Sequence, residues 1–412
     1  MSDFPTCISS PCSIAAECPP LDGIVDLGRM KKTSKTHTYW IDIVGACNLR
    51  CPSCPRGNFE PGDVMTEMPP SGLMDYGMFK QLVKKIKYDE PSLNPQIHLY
   101  NWGEPLVHPE IARFVRYTLD QGIYCGISSN LNISGTLRDV IKEGPDFFRI
   151  SLSGFSQPIY GQTHERGDIE RVKRNMIKMR EYLTEFNKNT YVEVNYHVYK
   201  HNANQDLIDM IAFCNELDFN ISPVWAFYLP LEKNLQIVEG TESERDKQLI
   251  DLLAIHPKQA MELSMPHKDK DCPVRQRATV INYDGSVPLC CNTFDRQHII
   301  ADSFLDTNHE TLQSAKYENP ACGPCMDNAI HVYLAFEAGE TMDNVGNTAL
   351  KEAGSPLEIR QYETPKVRML DGTAVPITAK LESEVQTRKK IRGARRIWHS
   401  VQQAGHRLST RR

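Results

Sequence analysis

Ile41-Asp42-Ile43-Val44-Gly45-Ala46-Cys47-Asn48-Leu49-Arg50-Cys51-Pro52-Ser53-Cys54-Pro55-Arg56 decides how the rest of the chain is read. An apolar, β-prone run leads into three cysteines spaced Cys-x3-Cys-x2-Cys. A loop leaving a strand can bring three sulfurs to one side, where they can hold one four-iron–four-sulfur cluster. Three protein ligands for four irons leave one iron open to a substrate or cofactor. The residues alone also allow a zinc loop or three ordinary buried thiols. A structural zinc usually takes four ligands, however, and no fourth is adjacent.

From residue 37 onward the chain alternates between periods. Strand-like segments are 38–44, 96–100, 123–129, 147–152, 191–199 and 221–227. Helical spacing covers 76–88, 109–120, 137–143, 168–187 and 205–217, with Asp168 placed as an N-cap. Six strands alternating with helices argue for an α/β fold with a parallel sheet. Periodicity leaves a partial barrel and a doubly wound sheet both open. Beyond these, 242–255 reads as helix, Gly, Thr and Asn break up 338–356, and 380–402 reads as a terminal helix.

Composition narrows the classes. A chain of 412 residues with a formal net charge of −5 gives no reason to expect nucleic acid as a partner. The thirteen cysteines form no regular disulfide framework, and most fall in short-spaced sets. That pattern reads as metal binding in a reducing compartment. The first residues lack the charged-then-apolar pattern of a signal peptide, and no run is apolar for membrane length. The expected location is cytoplasmic. Cys7, Cys12 and Cys18 sit in a Pro- and Ser-rich tail with no assigned role. Cys125 and Cys214 read as small core residues. Between Arg388 and Arg412 stand nine Lys or Arg and no acidic residue, a basic end that reads as a solvated helix.

The cysteine triad, together with Asn101-Trp102-Gly103-Glu104-Pro105 after the second strand, resembles the signature of the radical S-adenosylmethionine enzymes. The resemblance implies an open (β/α)6 partial barrel with its site at the C-terminal strand ends. It implies a four-iron cluster on Cys47, Cys51 and Cys54 that binds S-adenosylmethionine, and cleavage to a 5′-deoxyadenosyl radical. It also implies a flavodoxin- or ferredoxin-type electron donor. Trp102 replaces a family glycine. Ser53 stands where the family usually has an aromatic residue, so adenine must find its apolar contact elsewhere. Gly103 and Glu104 are then expected to receive the methionine amino group. Ser129, Asn130, Ser151, Arg166 and Asn195 are expected around the ribose, adenine and carboxylate. His108, Glu165, Tyr199 and Trp225 lie near strand ends and could line the same pocket.

A second cysteine set follows. Cys272 and Cys290 are spaced Cys-x12-Gly-x4-Cys around a hairpin turn at Asn282–Ser286, and Cys322-Gly-Pro-Cys325 comes later. Four thiolates complete a cluster and leave no open iron, although four-cysteine zinc uses the same ligands. The pattern resembles the start of the SPASM auxiliary-cluster domain. With no cysteine after Cys325, it resembles the shorter twitch form, with one auxiliary four-iron cluster. Cys291 is unassigned.

The expected organisation is a tail (1–36), the barrel (37–230), a linker helix with the auxiliary-cluster domain (231–330), and an extension with a basic end (331–412). The expected function is hydrogen abstraction from a small molecule of sugar, aminocyclitol or nucleoside type in natural-product or glycan biosynthesis. The auxiliary cluster would accept an electron or anchor the substrate. The alternatives are a peptide-modifying maturase, sulfur insertion from the auxiliary cluster, or a cluster-bearing scaffold without activity. No residue is assigned as acid or base.

Overall fold

The computed structural model describes residues 36–58, 71–88, 93–335, 337–363 and 366–377. The N-terminal tail with its three cysteines, the expected terminal helix at 380–402 and the basic end lie outside them.

Seven parallel strands form the main sheet, in the order β6-β5-β4-β3-β2-β1-β7. They are β1 (Thr36–Ile41), β2 (Asn94–His98), β3 (Tyr124–Ser129), β4 (Phe147–Leu152), β5 (Tyr191–Val198), β6 (Asn220–Trp225) and β7 (Ala278–Ile281). The first six are the expected strands, taken in sequence order. The seventh is a difference. Residues 278–283 read as a strand of a hairpin in the cysteine-rich segment, yet 278–281 pair with β1 from Thr38↔Ala278 to Ile41↔Ile281. An edge strand presents a row of unpaired N–H and C=O groups, and β7 satisfies that row on β1. The turn at Asn282–Ser286 forms, with Gly285 at φ +86 and Asn282 N–H donating to Ser286 O at 2.9 Å. The strand after it, β8 (Val287–Pro288), pairs with β9 (Ile299–Ala301) instead of folding back on β7.

Alternation on the strands separates two faces. Ile41, Ile97, Ile127, Ile150, Val194 and Ile221 point outward into the main hydrophobic core. Helices cover them, such as Tyr76–Tyr88, which buries Phe79, Leu82, Val83 and Ile86 at helical spacing. The helix Ile169–Glu185 is capped by Asp168, whose side chain accepts from Arg171 N–H at 3.0 Å. The opposite face carries Trp40, His98, Arg149, Glu193 and Asn195, all buried. Side chains of separate strands meet there: Tyr100 Oη lies 3.4 Å from Arg149, and Trp40 and Tyr124 flank His98. This is the concave, polar interior of a partial barrel.

The region expected to be broken up, 338–356, contains the helix Glu340–Glu352. Packing overrides its weak propensity. Gly346 lies against the Trp225 ring so closely that a Cβ there would sit 2.6 Å from it. Asp343 accepts the Trp225 indole N–H at 2.8 Å, and Gln361 accepts the Trp225 backbone N–H at 3.0 Å. This C-terminal segment, with β10 (Leu357–Ile359) and β11 (Val367–Met369), packs at the end of edge strand β6. No helix among the described residues is long and apolar enough to cross a membrane.

Candidate functional site

The cysteine triad occupies the loop after β1. Cys54 N–H donates to Cys51 O at 3.0 Å, which closes the loop into a turn. All three cysteines are half-buried in this loop. Burial pushes the Cys47 thiol up to about 12, with Glu104 and Cys54 adding to it, and pushes Cys51 up as well. Such thiols ionise readily only when a metal supplies positive charge. Asn130 Nδ2 approaches Cys47 Sγ at 3.6 Å.

Gly103 and Glu104 sit beside this loop, and here a glycine is compulsory. A Cβ at residue 103 would lie 1.7 Å from the Val44 carbonyl oxygen. Close approach lets Glu104 N–H donate to Ala46 O at 2.9 Å, which fastens the two loops together. The Glu104 carboxylate is buried and accepts three donors: Leu106 N–H (3.0 Å), Ser129 Oγ–H (2.7 Å) and Asn130 N–H (2.8 Å). Burial raises it to about 7 against these bonds. Roughly one of its four lone-pair sites is left to receive a ligand donor. Ser129 is thus occupied in holding Glu104.

Ser151 and Asn195 stand side by side in the β4–β5 register, on the interior face. Asn195 Nδ2 contacts His197 Nε2 at 3.1 Å, while its Oδ1 has no partner among the described residues. They meet each other and not the Glu104 network. Arg166 is exposed at φ +66, and the carbonyl of its neighbour Glu165 accepts Arg50 N–H at 3.0 Å, so that turn is tied to the cysteine loop. Tyr199 lies under the loop, bonded to Ser53 and close to Cys51. His108 is taken up by backbone contacts, to Met74 O at 3.0 Å and Glu110 N–H at 3.1 Å. Trp225 is taken up by the helix Glu340–Glu352.

Asp42 was missed. Its buried carboxylate accepts the N–H groups of Trp102 (3.1 Å) and Gly103 (3.1 Å), so it orients the backbone that carries Gly103. Burial raises it to about 6, and Arg56 acts to lower it. Its signal was one charge in an apolar strand directly ahead of the first cysteine.

The second set also converges. Cys272, Cys290, Cys322 and Cys325 line one cavity with Leu231, Leu289 and other apolar side chains. Cys272 begins the short helix Pro273–Arg277, and Cys322 and Cys325 lie one turn apart on Cys322–Asp327. Burial raises all four thiols. Cys291 does not line that cavity, and with Cys272 and Cys290 it packs against Trp40, Val274, Ala278 and Val280. The two sites touch through Trp102. Its indole N–H donates to Thr293 O at 3.2 Å, and its ring meets Phe294 at 5.5 Å, on which Arg56 also lies at 5.2 Å. Among the described residues no three His, Cys, Asp or Glu side chains are grouped to clasp a single metal ion. The donor set is sulfur in both places, which fits an iron–sulfur cluster by chemistry.

No curated protein matches the sequence. Solved structures resemble it distantly. Streptococcus suis SuiB bound to S-adenosylmethionine aligns at 13% identity and a TM-score of 0.46, over 71% of this chain and 68% of that one. Native anSMEcpe with bound AdoMet aligns at 13% and 0.45, over 68% and 82%. BtrN in complex with AdoMet and 2-DOIA aligns at 14% and 0.38, over 69% and 83%. These likenesses are too remote to carry an activity across. The family model described as the Radical SAM superfamily matches residues 41–214, from the strand before the cysteine triad to the helix after β5. That stretch, which carries the cysteine triad and most of the barrel, is similar to the Radical SAM superfamily.

Proposed function

We propose that this protein is a radical S-adenosylmethionine enzyme that oxidises a polar small molecule, of sugar, aminocyclitol or nucleoside type, with one auxiliary four-iron cluster. Cys47, Cys51 and Cys54 hold the first cluster. Gly103 and Glu104 receive the methionine amino group, steadied by Asp42, Ser129 and Asn130. Ser151, Arg166 and Asn195 contact the ribose and carboxylate. The Tyr199 ring supplies the apolar surface that Ser53 lacks. When bound, the cluster and cofactor supply one electron and a 5′-deoxyadenosyl radical that removes hydrogen from the substrate. Cys272, Cys290, Cys322 and Cys325 hold the auxiliary cluster. The electron donor is a flavodoxin or ferredoxin, and the setting is cytoplasmic.

The observation that carries this reading is that four half-buried cysteines line one cavity at the β1–β7 side of the barrel. The substrate class rests on the barrel interior. Burial holds His98 at about 3 and His197 at about 4, so both imidazoles are neutral at physiological pH. Among the described residues His98 has no partner at either ring nitrogen. Neutral imidazoles, the Asn195 amide oxygen and the Arg149 guanidinium suit hydroxyl and amine groups. The test is anaerobic turnover of reconstituted protein with panels of aminocyclitols, sugars, nucleosides and peptides. Substrate-dependent 5′-deoxyadenosine with loss of two hydrogens from a small molecule is expected. Turnover with peptides alone would overturn the substrate class.

A further inference from the structure

Lys316 is fully buried on the helix His309–Glu318. Its ammonium donates to Ala278 O at 2.6 Å and to Thr279 Oγ at 3.1 Å, both on β7. A buried charge is costly unless something of opposite sign faces it. Among the described residues no carboxylate pairs with Lys316. Cys272 and Cys290 pack against Ala278 and Val280 of that same strand; burial lowers Lys316 to about 8, and these two thiols act against that. A third cysteine is tied to the same residue: Cys322 Sγ–H donates to the Lys316 carbonyl at 3.5 Å.

The neighbouring charges leave Lys316 alone in this position. Arg275 also lies near Cys322, but Asp271 binds it at 2.5 Å and offsets it. His37, which shares Thr279 with Lys316 at 2.9 Å, is held neutral by burial and by Lys316 itself. One buried cation therefore lies on the strand against which Cys272 and Cys290 pack, with Cys322 bonded to its own carbonyl.

We propose that Lys316 is the built-in counter-charge of the auxiliary cluster and sets its reduction potential. The proposal rests on the auxiliary-cluster reading above. A four-iron cluster on four thiolates carries net charge −2 when oxidised and −3 after taking up one electron. A fixed cation nearby stabilises the −3 state more than the −2 state. Lys316 thus makes this cluster a better electron acceptor. Its role is to position charge, and it does not touch the substrate.

The experiment uses the full chain with Cys47, Cys51 and Cys54 changed to Ala, so that only the second cluster reports. Iron is counted first. The cluster is then titrated with dithionite and mediators and followed by electron paramagnetic resonance. At a fixed potential, Lys316→Met should lower the reduced-to-oxidised ratio about tenfold, about 59 mV for a one-electron couple. Lys316→Arg should stay near the parent value. Lys316→Gln, which keeps a donor for the Ala278 carbonyl, replaces the Met variant if that one does not fold. Loss of thermal stability with an unchanged potential would reduce Lys316 to a structural residue and overturn the proposal. A parent protein that binds no second cluster would instead sink the reading on which the proposal rests.

Discussion

Replacing Gly103 by Ala tests the cofactor loop most sharply. The added Cβ would start 1.7 Å from the Val44 carbonyl oxygen and 2.9 Å from an Asp42 carboxylate oxygen, where ordinary contact begins at 3.4 Å. The Val44 contact cannot be relieved by a side-chain rotation, because its partner is backbone. The loop must move by about 1.7 Å at that point. The move strains the bonds from Trp102 and Gly103 N–H to Asp42 and the bond from Glu104 N–H to Ala46. A displacement near 1 Å in a positioning element can cost on the order of a hundredfold, or about 2.7 kcal/mol. Cofactor affinity, measured by calorimetry on anaerobically reconstituted protein, should fall by about that factor, and 5′-deoxyadenosine formation with it. The control is Gly135→Ala, where a Cβ meets nothing within 4 Å. It should bind within about twofold of wild type, as surface substitutions generally stay within 0.5 kcal/mol. Wild-type affinity in Gly103→Ala would show that this loop does not hold the cofactor.

Two further outcomes follow from other parts of the structure. Wild-type protein should bind about eight irons, and changing Cys322 and Cys325 to Ala should leave about four while cofactor cleavage continues; a wild-type content of four irons plus one zinc would contradict this. Burial raises Asp343 from 3.8 to about 6 in the folded protein. A carboxyl raised on folding stabilises the protein below its unfolded value, and that contribution is lost as pH rises through about 6. Denaturant titrations of wild type and Asp343→Asn should therefore diverge between pH 4 and 6, by on the order of 2–3 kcal/mol in favour of the variant at the upper end. Parallel pH profiles would rule out Asp343 as the source.

Six of the seven barrel strands were legible because each carries its own apolar alternation, as Phe148, Ile150 and Leu152 do on β4. The seventh was legible as a strand, over 278–283, but not as a member of the barrel sheet. A four-residue strand reads the same in a hairpin as in a barrel, and its partner β1 lies far back in the chain. The helix Glu340–Glu352 was hidden for a related reason. Gly346 argues against a helix locally, but it is what lets the helix reach Trp225. In the site, the short spacings Cys47–Cys54 and Cys322–Cys325 were legible because they are local, whereas the meeting of Cys272 and Cys290 with Cys322 and Cys325 at one cavity is made by the fold. Asp42 and Lys316 are single charges whose meaning depends on what folds over them, so no window of sequence displays it.

The pairing of β7 with β1 sets a schedule for synthesis. Ile41 leaves the ribosome 240 residues before Ile281, its partner on the sheet. At about 5–20 residues per second, the open edge of β1 waits on the order of 12–48 s before it is covered. During that interval a nascent barrel exposes a strand edge able to pair with another chain. A fragment ending near residue 230 would keep that edge indefinitely. The boundary that the sequence suggests between barrel and cysteine-rich segment is therefore a poor place to cut the gene for expression. Fragments extended past Ile281 should be markedly more soluble than those that stop before Ala278.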